Sequence, residues 1–396
     1  MKKWLPVLVF FSLSLSVYSG QDSVELFGYF ESQAMGADIK NEFLLLYSNK
    51  LRVDLKTSLS EKVTFAANFD YITFHGKTDW NILDFLPSDV TAEVPAGTES
   101  FYMLPFSDRH FLDNAYLKLS FKHFDLTVGK QQISLGTGYV WNPTDVFNIK
   151  ELFDPTYEQP GHNALRLDVP LGSMYTLTTL FAPEDTWKDS AKLIQLKGRI
   201  SHFDYSLIGI EKVWRFHDYT QFDFENMNFL ELPGKRQLLG ASTAGELLGL
   251  GVWAEYAYNW MENSEDFYEL VVGTDYTFNF QTYMMIEYYR NTLGKTDYEH
   301  YNLNDWMRMI ALEQKAISRD QVYVFIQHPA TDLMSVGIST IYSISDNSLA
   351  LVPTLNYSFS DNVEIFAYLN FNIGKEGKVF AKNMGNGGMI RARVYF

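Results

Sequence analysis

The sequence predicts an all-β protein: a transmembrane, antiparallel, up-and-down β-barrel of about 18 strands, with 16 as the alternative count. Three observations carry this expectation. The chain opens with an export leader, apolar and polar residues alternate over many segments of about ten residues, and short connections tend to alternate with long ones.

Met1-Lys2-Lys3 is a short cationic start, Trp4 to Val17 is an apolar run, and small residues follow at Ser19-Gly20. That order predicts a secretory signal peptide over residues 1–20 and a barrel domain over 21–396. The apolar run is shorter than the ~20 residues a membrane helix needs. The 396 residues include no Cys, which excludes disulfides, zinc–thiolate sites and cysteine nucleophiles. A formal charge of −16 leaves no basic footprint for nucleic acid. Hydrophobic residues make up 46% and aromatic ones 16%, so an exported chain must place much apolar surface in a sealed core or against lipid.

The alternation is clear in single segments. Leu51, Val53, Leu55 and Leu59 point one way, while Arg52, Asp54, Lys56 and Ser58 point the other. Val63, Phe65, Ala67, Phe69 and Tyr71 repeat the pattern, as do Val363, Ile365, Ala367, Leu369 and Phe371 near the end. Candidate strands start near residues 24, 48, 63, 111, 125, 163, 173, 190, 204, 237, 250, 267, 281, 320, 333, 348, 363 and 387. Short turns fall at Ser60-Glu61-Lys62, Lys122-His123-Phe124, Pro170-Leu171-Gly172, His202-Phe203 and Ser360-Asp361-Asn362. Long connections are expected at 76–110, 135–162, 215–236, 292–319 and 374–386. A water-soluble sandwich has no reason to sort its loops this way, whereas membrane barrels put short turns on the periplasmic rim and long loops outside.

The strands carry many charges on one face, among them Arg52, Asp54, Asp70, Lys118, Arg166, Asp168, Glu255, Glu269, Glu287 and Arg391. In a sealed apolar core these would be costly, so they argue for a wet lumen. No constellation for catalysis emerges. The eight His are scattered, with no H-E-x-x-H, and no EF-hand loop or dense ligand cluster is present. Gly136-Thr137-Gly138 lacks the lysine and the helix of a phosphate-binding loop. No catalytic residue, no metal and no cofactor are therefore expected.

Residues 129–148 read GKQQISLGTGYVWNPTDVFN. Gly129, Lys130, Gln131, Gly136, Gly138, Asn142, Pro143, Asp145 and Phe147 resemble a segment of the porin-like outer-membrane barrels of Gram-negative bacteria. The final strand, with Ile390, Ala392, Val394 and Phe396 in alternation, resembles the assembly signal of such barrels, here Tyr395-Phe396. The resemblance implies an outer-membrane location and a passive, non-enzymatic channel for small polar solutes. It also implies contact with outer-membrane lipid and lipopolysaccharide, recognition by the barrel-assembly machinery, and a homotrimer as the assembly. In general porins the loop between strands five and six folds into the barrel. Loop 135–162 holds that place here, so Gly136 and Gly138 should turn the chain inward, Asn142-Pro143 should fix the bend, and Phe147 should follow it. Its carboxylates Asp145, Glu151, Asp154 and Glu158 would face a basic wall drawn from Arg52, Lys56, Arg166, Lys197, Arg199, Arg391 and Arg393, with Arg52, Arg391 and Arg393 directly opposite. Two alternatives stay open: an exopolysaccharide-secretion barrel of the alginate-export type, and a surface receptor or adhesin working through loops 76–110 and 292–319. One local conflict needs a device. Lys130 shares the lipid-facing parity of Leu126 and Val128, so a bulge near Gly129 is expected to turn it inward.

Overall fold

A computed structural model describes residues 24–40, 42–150 and 158–396. The expected leader, and Glu151 and Asp154 of the acidic loop, lie outside the described residues. The described chain forms β1 (Val24–Ile39), β2 (Glu42–Ser60), β3 (Val63–Gly76), β4 (Asp79–Asn81), β5 (Met103–Pro105), β6 (Arg109–Ser120) and β7 (Asp125–Gln132). After the first inserted loop come β8 (Gly161–Leu171), β9 (Tyr175–Ala182), β10 (Ala191–Ile200), β11 (Phe203–Asp223), β12 (Asn228–Leu247) and β13 (Leu250–Met261). The wall is completed by β14 (Phe267–Thr277), β15 (Tyr283–Asn291), β16 (Asp320–Thr331), β17 (Met334–Ser343), β18 (Ser348–Ser360), β19 (Val363–Ile373) and β20 (Asn386–Tyr395).

Eighteen of these strands make one antiparallel sheet, while β4 and β5 form a separate small hairpin within the β3–β6 connection. Each barrel strand pairs with its sequence neighbours, and β1 pairs with β20 from Tyr29–Tyr395 to Asp38–Asn386. Gly28 and Phe396 then exchange both backbone hydrogen bonds, at 3.1 and 3.0 Å, so the sheet is closed and has no free edge. Period-two alternation sorts the faces. On β13, Tyr256 and Trp260 are exposed on the outside, while Glu255, Ala257 and Asn259 are buried inside.

The expected strands are all present, and the differences are informative. Strands expected near 48 and 237 begin earlier, at Glu42 and Asn228. The long loop expected over 215–236 is instead the tip of the β11–β12 hairpin, whose pairing runs on to Asp223–Asn228 with one irregularity between Asp218 and Phe222. Aromatic packing explains the extension: the Phe222 and Phe229 rings meet at 5.2 Å, and Tyr219 and Phe229 at 5.1 Å. The bulge expected near Gly129 is also absent. β7 runs in unbroken register against both neighbours, and the Lys130 ammonium donates to the Leu112 carbonyl at 2.7 Å. The ladder slips instead across β3 and β6, where Asn68 pairs with Asn114 but Phe69 with Leu112.

The main apolar cluster lies inside the barrel at its long-loop end. Its centre is α2 (Leu303–Ile310), which Asn302 and Asp305 start with reciprocal caps. Leu303, Trp306, Met307 and Ile310 follow the i, i+3, i+4, i+7 spacing of one helix face, and the first three are buried. Tyr102 and Val90 from 77–108, Val140 and Trp141 from the first inserted loop, and Val379 and Phe380 from 374–385 share that cluster with Met285 and Tyr289 of the wall.

At the closing seam, a Cβ on Gly28 would stand 2.1 Å from the Arg52 carbonyl oxygen. Gly28→Val is therefore expected to lower the yield of closed barrel, read as loss of the heat-shifted band on electrophoresis, with Ala34→Val as the tolerated control.

Candidate functional site

The connection from Gln132 to Gly161 leaves the wall between its fifth and sixth strands and reaches the inner face of β13 and β15, its eleventh and thirteenth. Two buried carboxylates hold it there. Glu255 accepts from Thr137 N at 2.6 Å, Gly138 N at 3.3 Å, Thr144 N at 2.6 Å and the Thr144 hydroxyl at 2.8 Å. Glu287 accepts from Tyr139 N at 2.6 Å, Val140 N at 2.8 Å, Trp141 N at 3.0 Å and the Trp253 indole at 2.7 Å. The loop thus presents consecutive N–H groups in a concave run, the arrangement that binds anions elsewhere, and the anions are the wall's own glutamates.

The glycines of the motif have physical reasons. Gly136 has φ +87°, and a Cβ there would lie 2.6 Å from the Glu255 carboxylate. At Gly138 a Cβ would lie 1.8 Å from the Trp141 carbonyl oxygen. Asn142 and Pro143 lead into a turn closed by Asp145 N on the Asn142 carbonyl at 3.1 Å. Trp141 stacks on Tyr289 with centroids 4.9 Å apart and planes 7° from parallel. Phe147 lies under the Lys212 ammonium, 4.7 Å from its ring centre.

A second inserted segment locks the first. Lys315, from the β15–β16 connection, donates to the Asn142 carbonyl at 2.7 Å and pairs with Glu269 of β14 at 3.1 Å. Glu269 also meets Arg236 of β12 at 3.3 Å and accepts from Tyr289 at 2.7 Å.

The acidic residues expected to form one row are divided. Asp145 does not stand opposite Arg52: its carboxylate accepts from Phe147 N and Asn148 N, both at 2.9 Å, and from the Asn148 amide at 3.1 Å. A carboxylate that follows Asn-Pro caps its own turn before it can reach across a pore. Burial pushes the Asp145 carboxyl above its usual range, against the pull of those donors. Glu158 does reach the basic wall, pairing with Lys50 at 2.7 Å and Arg52 at 2.9 Å and accepting from Tyr29 at 2.7 Å. Burial alone would raise the Glu158 carboxyl, but Lys50, Tyr29 and Arg52 hold it below the usual carboxylate range.

The basic residues are largely neutralised where they stand. Arg52 also meets Asp54 at 2.9 Å, and Arg391 and Arg393 meet Glu31 of the adjacent β1 at 3.4 and 2.7 Å. Arg166 pairs with Asp168 two residues on at 2.9 Å, and Arg199 with Asp204 across a short turn at 2.8 Å. Lys56 and Lys197 are exposed. Lys50, Glu31 and the two anchoring glutamates were missed as site residues by sequence reasoning. The available signal was Glu255, Glu269 and Glu287 recurring at inward positions of three successive strands.

A closed 18-stranded barrel with an apolar exterior, a charged lumen and loops folded into it is a porin-like all-β fold. Solved structures agree on the fold. Acinetobacter baumannii OccAB1 aligns at a TM-score of 0.59 and 9% identity over 94% of this chain and 96% of that one. Acinetobacter baumannii OccAB4 gives 0.57 and 12% over 94% and 97%, and the outer membrane protein OpdK of Pseudomonas aeruginosa gives 0.56 and 7% over 94% and 98%. No protein-family model and no curated protein matches the chain.

Hydrogen bonds to a charged group contribute roughly 1.5–3 kcal/mol each. Paired Glu255→Leu and Glu287→Leu substitutions are expected to free the loop. Amide exchange over residues 137–144 should then accelerate by more than about tenfold, while exchange in the strands stays unchanged.

Proposed function

We propose that this protein is a narrow, passive outer-membrane channel for small hydrophilic solutes, constricted by the loop of residues 135–162. The observation that carries the reading is the Glu255–Glu287 grip on loop amides 137–144, which spans the lumen from one wall to the other. A barrel of this strand number would otherwise enclose a wide aqueous bore. On the far side of the loop, the Lys50, Arg52 and Glu158 cluster supplies fixed charge beside the path, where low-dielectric walls focus its field.

The inward packing of 77–108 and α2 favours a channel over a receptor working through those loops. Leu303 N donates to the Glu93 carboxylate at 3.1 Å, and Leu303, Trp306 and Val90 are buried, so the two segments pack on each other there. The pairing of Arg391, Arg393, Arg166 and Arg199 with nearby carboxylates speaks against a continuous basic ladder for an acidic polysaccharide.

In planar bilayers the protein should give small, discrete conductance steps. The Glu255→Leu, Glu287→Leu double variant should give larger ones, and Arg52→Gln should move the reversal potential toward cations. Inserted, heat-shifted protein that never conducts would overturn the channel reading, and an unaltered conductance in the double variant would remove the constriction.

A further inference from the structure

We infer that the long-loop end of the lumen holds a binding site for a neutral amphipathic small molecule, an apolar body bearing a hydrogen-bond donor such as a phenolic hydroxyl. The site is a cavity of about 400 Å³ between the β1, β19 and β20 wall and the inserted segments. That volume is at the small end of the ~300–1,000 Å³ typical of small-molecule sites.

Its lining differs from the rest of the lumen. Trp80, Met309, Ile310, Val379, Phe380 and Met384 contribute apolar surface, and no carboxylate among the described residues lines it. Three methionines, Met35, Met309 and Met384, suit an apolar wall that adapts to its occupant. The two cations at its edge are already engaged: Lys150 with the Gly138 and Tyr139 carbonyls at 3.0 and 2.8 Å, Lys315 with the Asn142 carbonyl and Glu269. Among the described residues the cavity therefore offers no free charge for an ionic ligand, and a neutral one fits it.

It does offer acceptors. Gln321, only 1% exposed, uses its amide N–H on the Ser318 hydroxyl at 2.6 Å, which leaves Oε1 without a partner. Asn370 Oδ1, on the same lining, also lacks one. Folded proteins seldom leave such atoms unpaired, and a donor on the ligand would satisfy them. The site adjoins a cavity of about 680 Å³, and Ile149, Leu312, Gln314 and Lys315 line both. The passage of hydrophilic solutes requires none of these features, so the site stands independently of the channel reading.

The test uses the full-length barrel in lipid nanodiscs and isothermal titration with 4-propylphenol and its methyl ether, 4-propylanisole, against protein-free discs. The phenol should bind saturably at one site, with the ether roughly three- to tenfold weaker. Gln321→Leu should make the two compounds equal, and Ile310→Trp, which fills the cavity, should abolish binding of both. Each variant is first checked for the heat-shifted closed barrel; should Gln321→Leu not close, Asn370→Leu takes its place, with the same narrowing of the gap expected. Absence of saturable binding, equal affinity for phenol and ether in the unaltered protein, or full binding in Ile310→Trp would each overturn the site. Conductance of the same preparation is read separately: binding without current sinks the channel and spares the site, and current without binding does the reverse.

Discussion

Glu255 and Glu287 are buried carboxylates with no ion pair among the described residues, and six backbone N–H groups of one loop are their solvent. A bare carboxylate in such a place would be costly. Here the loop's amides, two threonine hydroxyls and one indole take over the role of water, so the loop is held wherever the wall puts those two side chains. Part of the glycine spacing follows from this: at 136 the backbone approaches the Glu255 carboxylate too closely for a Cβ, while at 138 the loop's own fold onto the Trp141 carbonyl leaves no room for one. The motif is a loop that cradles an anion after all, and the anion belongs to the protein.

That constraint divides the lumen into two unlike halves. Toward β1, β2 and β20, charges of both signs sit in short-range pairs, many to the same or the next strand, where Lys50, Arg52, Arg391 and Arg393 answer Glu31, Asp54, Asp70 and Glu158. Toward β14 and β15, the loop lays Val140 and Trp141 onto wall aromatics and joins the apolar face of α2. Lys315 fastens this second half by holding a carbonyl of the inserted loop and the Glu269 carboxylate of β14. Fixed charge thus lines one side of the lumen and packed loops the other.

The wall was largely legible in the sequence because a strand in a barrel is a local object. Inside and outside alternate residue by residue, so Leu51-Arg52-Val53-Asp54 shows its two faces without knowledge of any partner. The limits of this legibility are physical as well. At 215–236 the alternation continues above the membrane in aromatic residues, and only their mutual packing makes that stretch a hairpin tip rather than a loop. At Lys130 a conflict with lipid suggested a bulge, but the ladder absorbs its irregularity on β6 while the ammonium finds the Leu112 carbonyl. Asp145 carried a charge suited to a pore, yet its nearest donors are those of its own turn.

By itself, then, the sequence showed the barrel class, the positions of its strands with 16 or 18 left open, and most of its short and long connections. Each of these is written in neighbours a few residues apart. Only the tertiary structure decided what the loop meets. Residues 137–144 and positions 255 and 287 are more than a hundred residues apart, and they become neighbours because the sheet closes on itself and carries the eleventh and thirteenth strands across from the fifth. Charge and glycine content show that such groups exist, but closure alone sets which of them face each other.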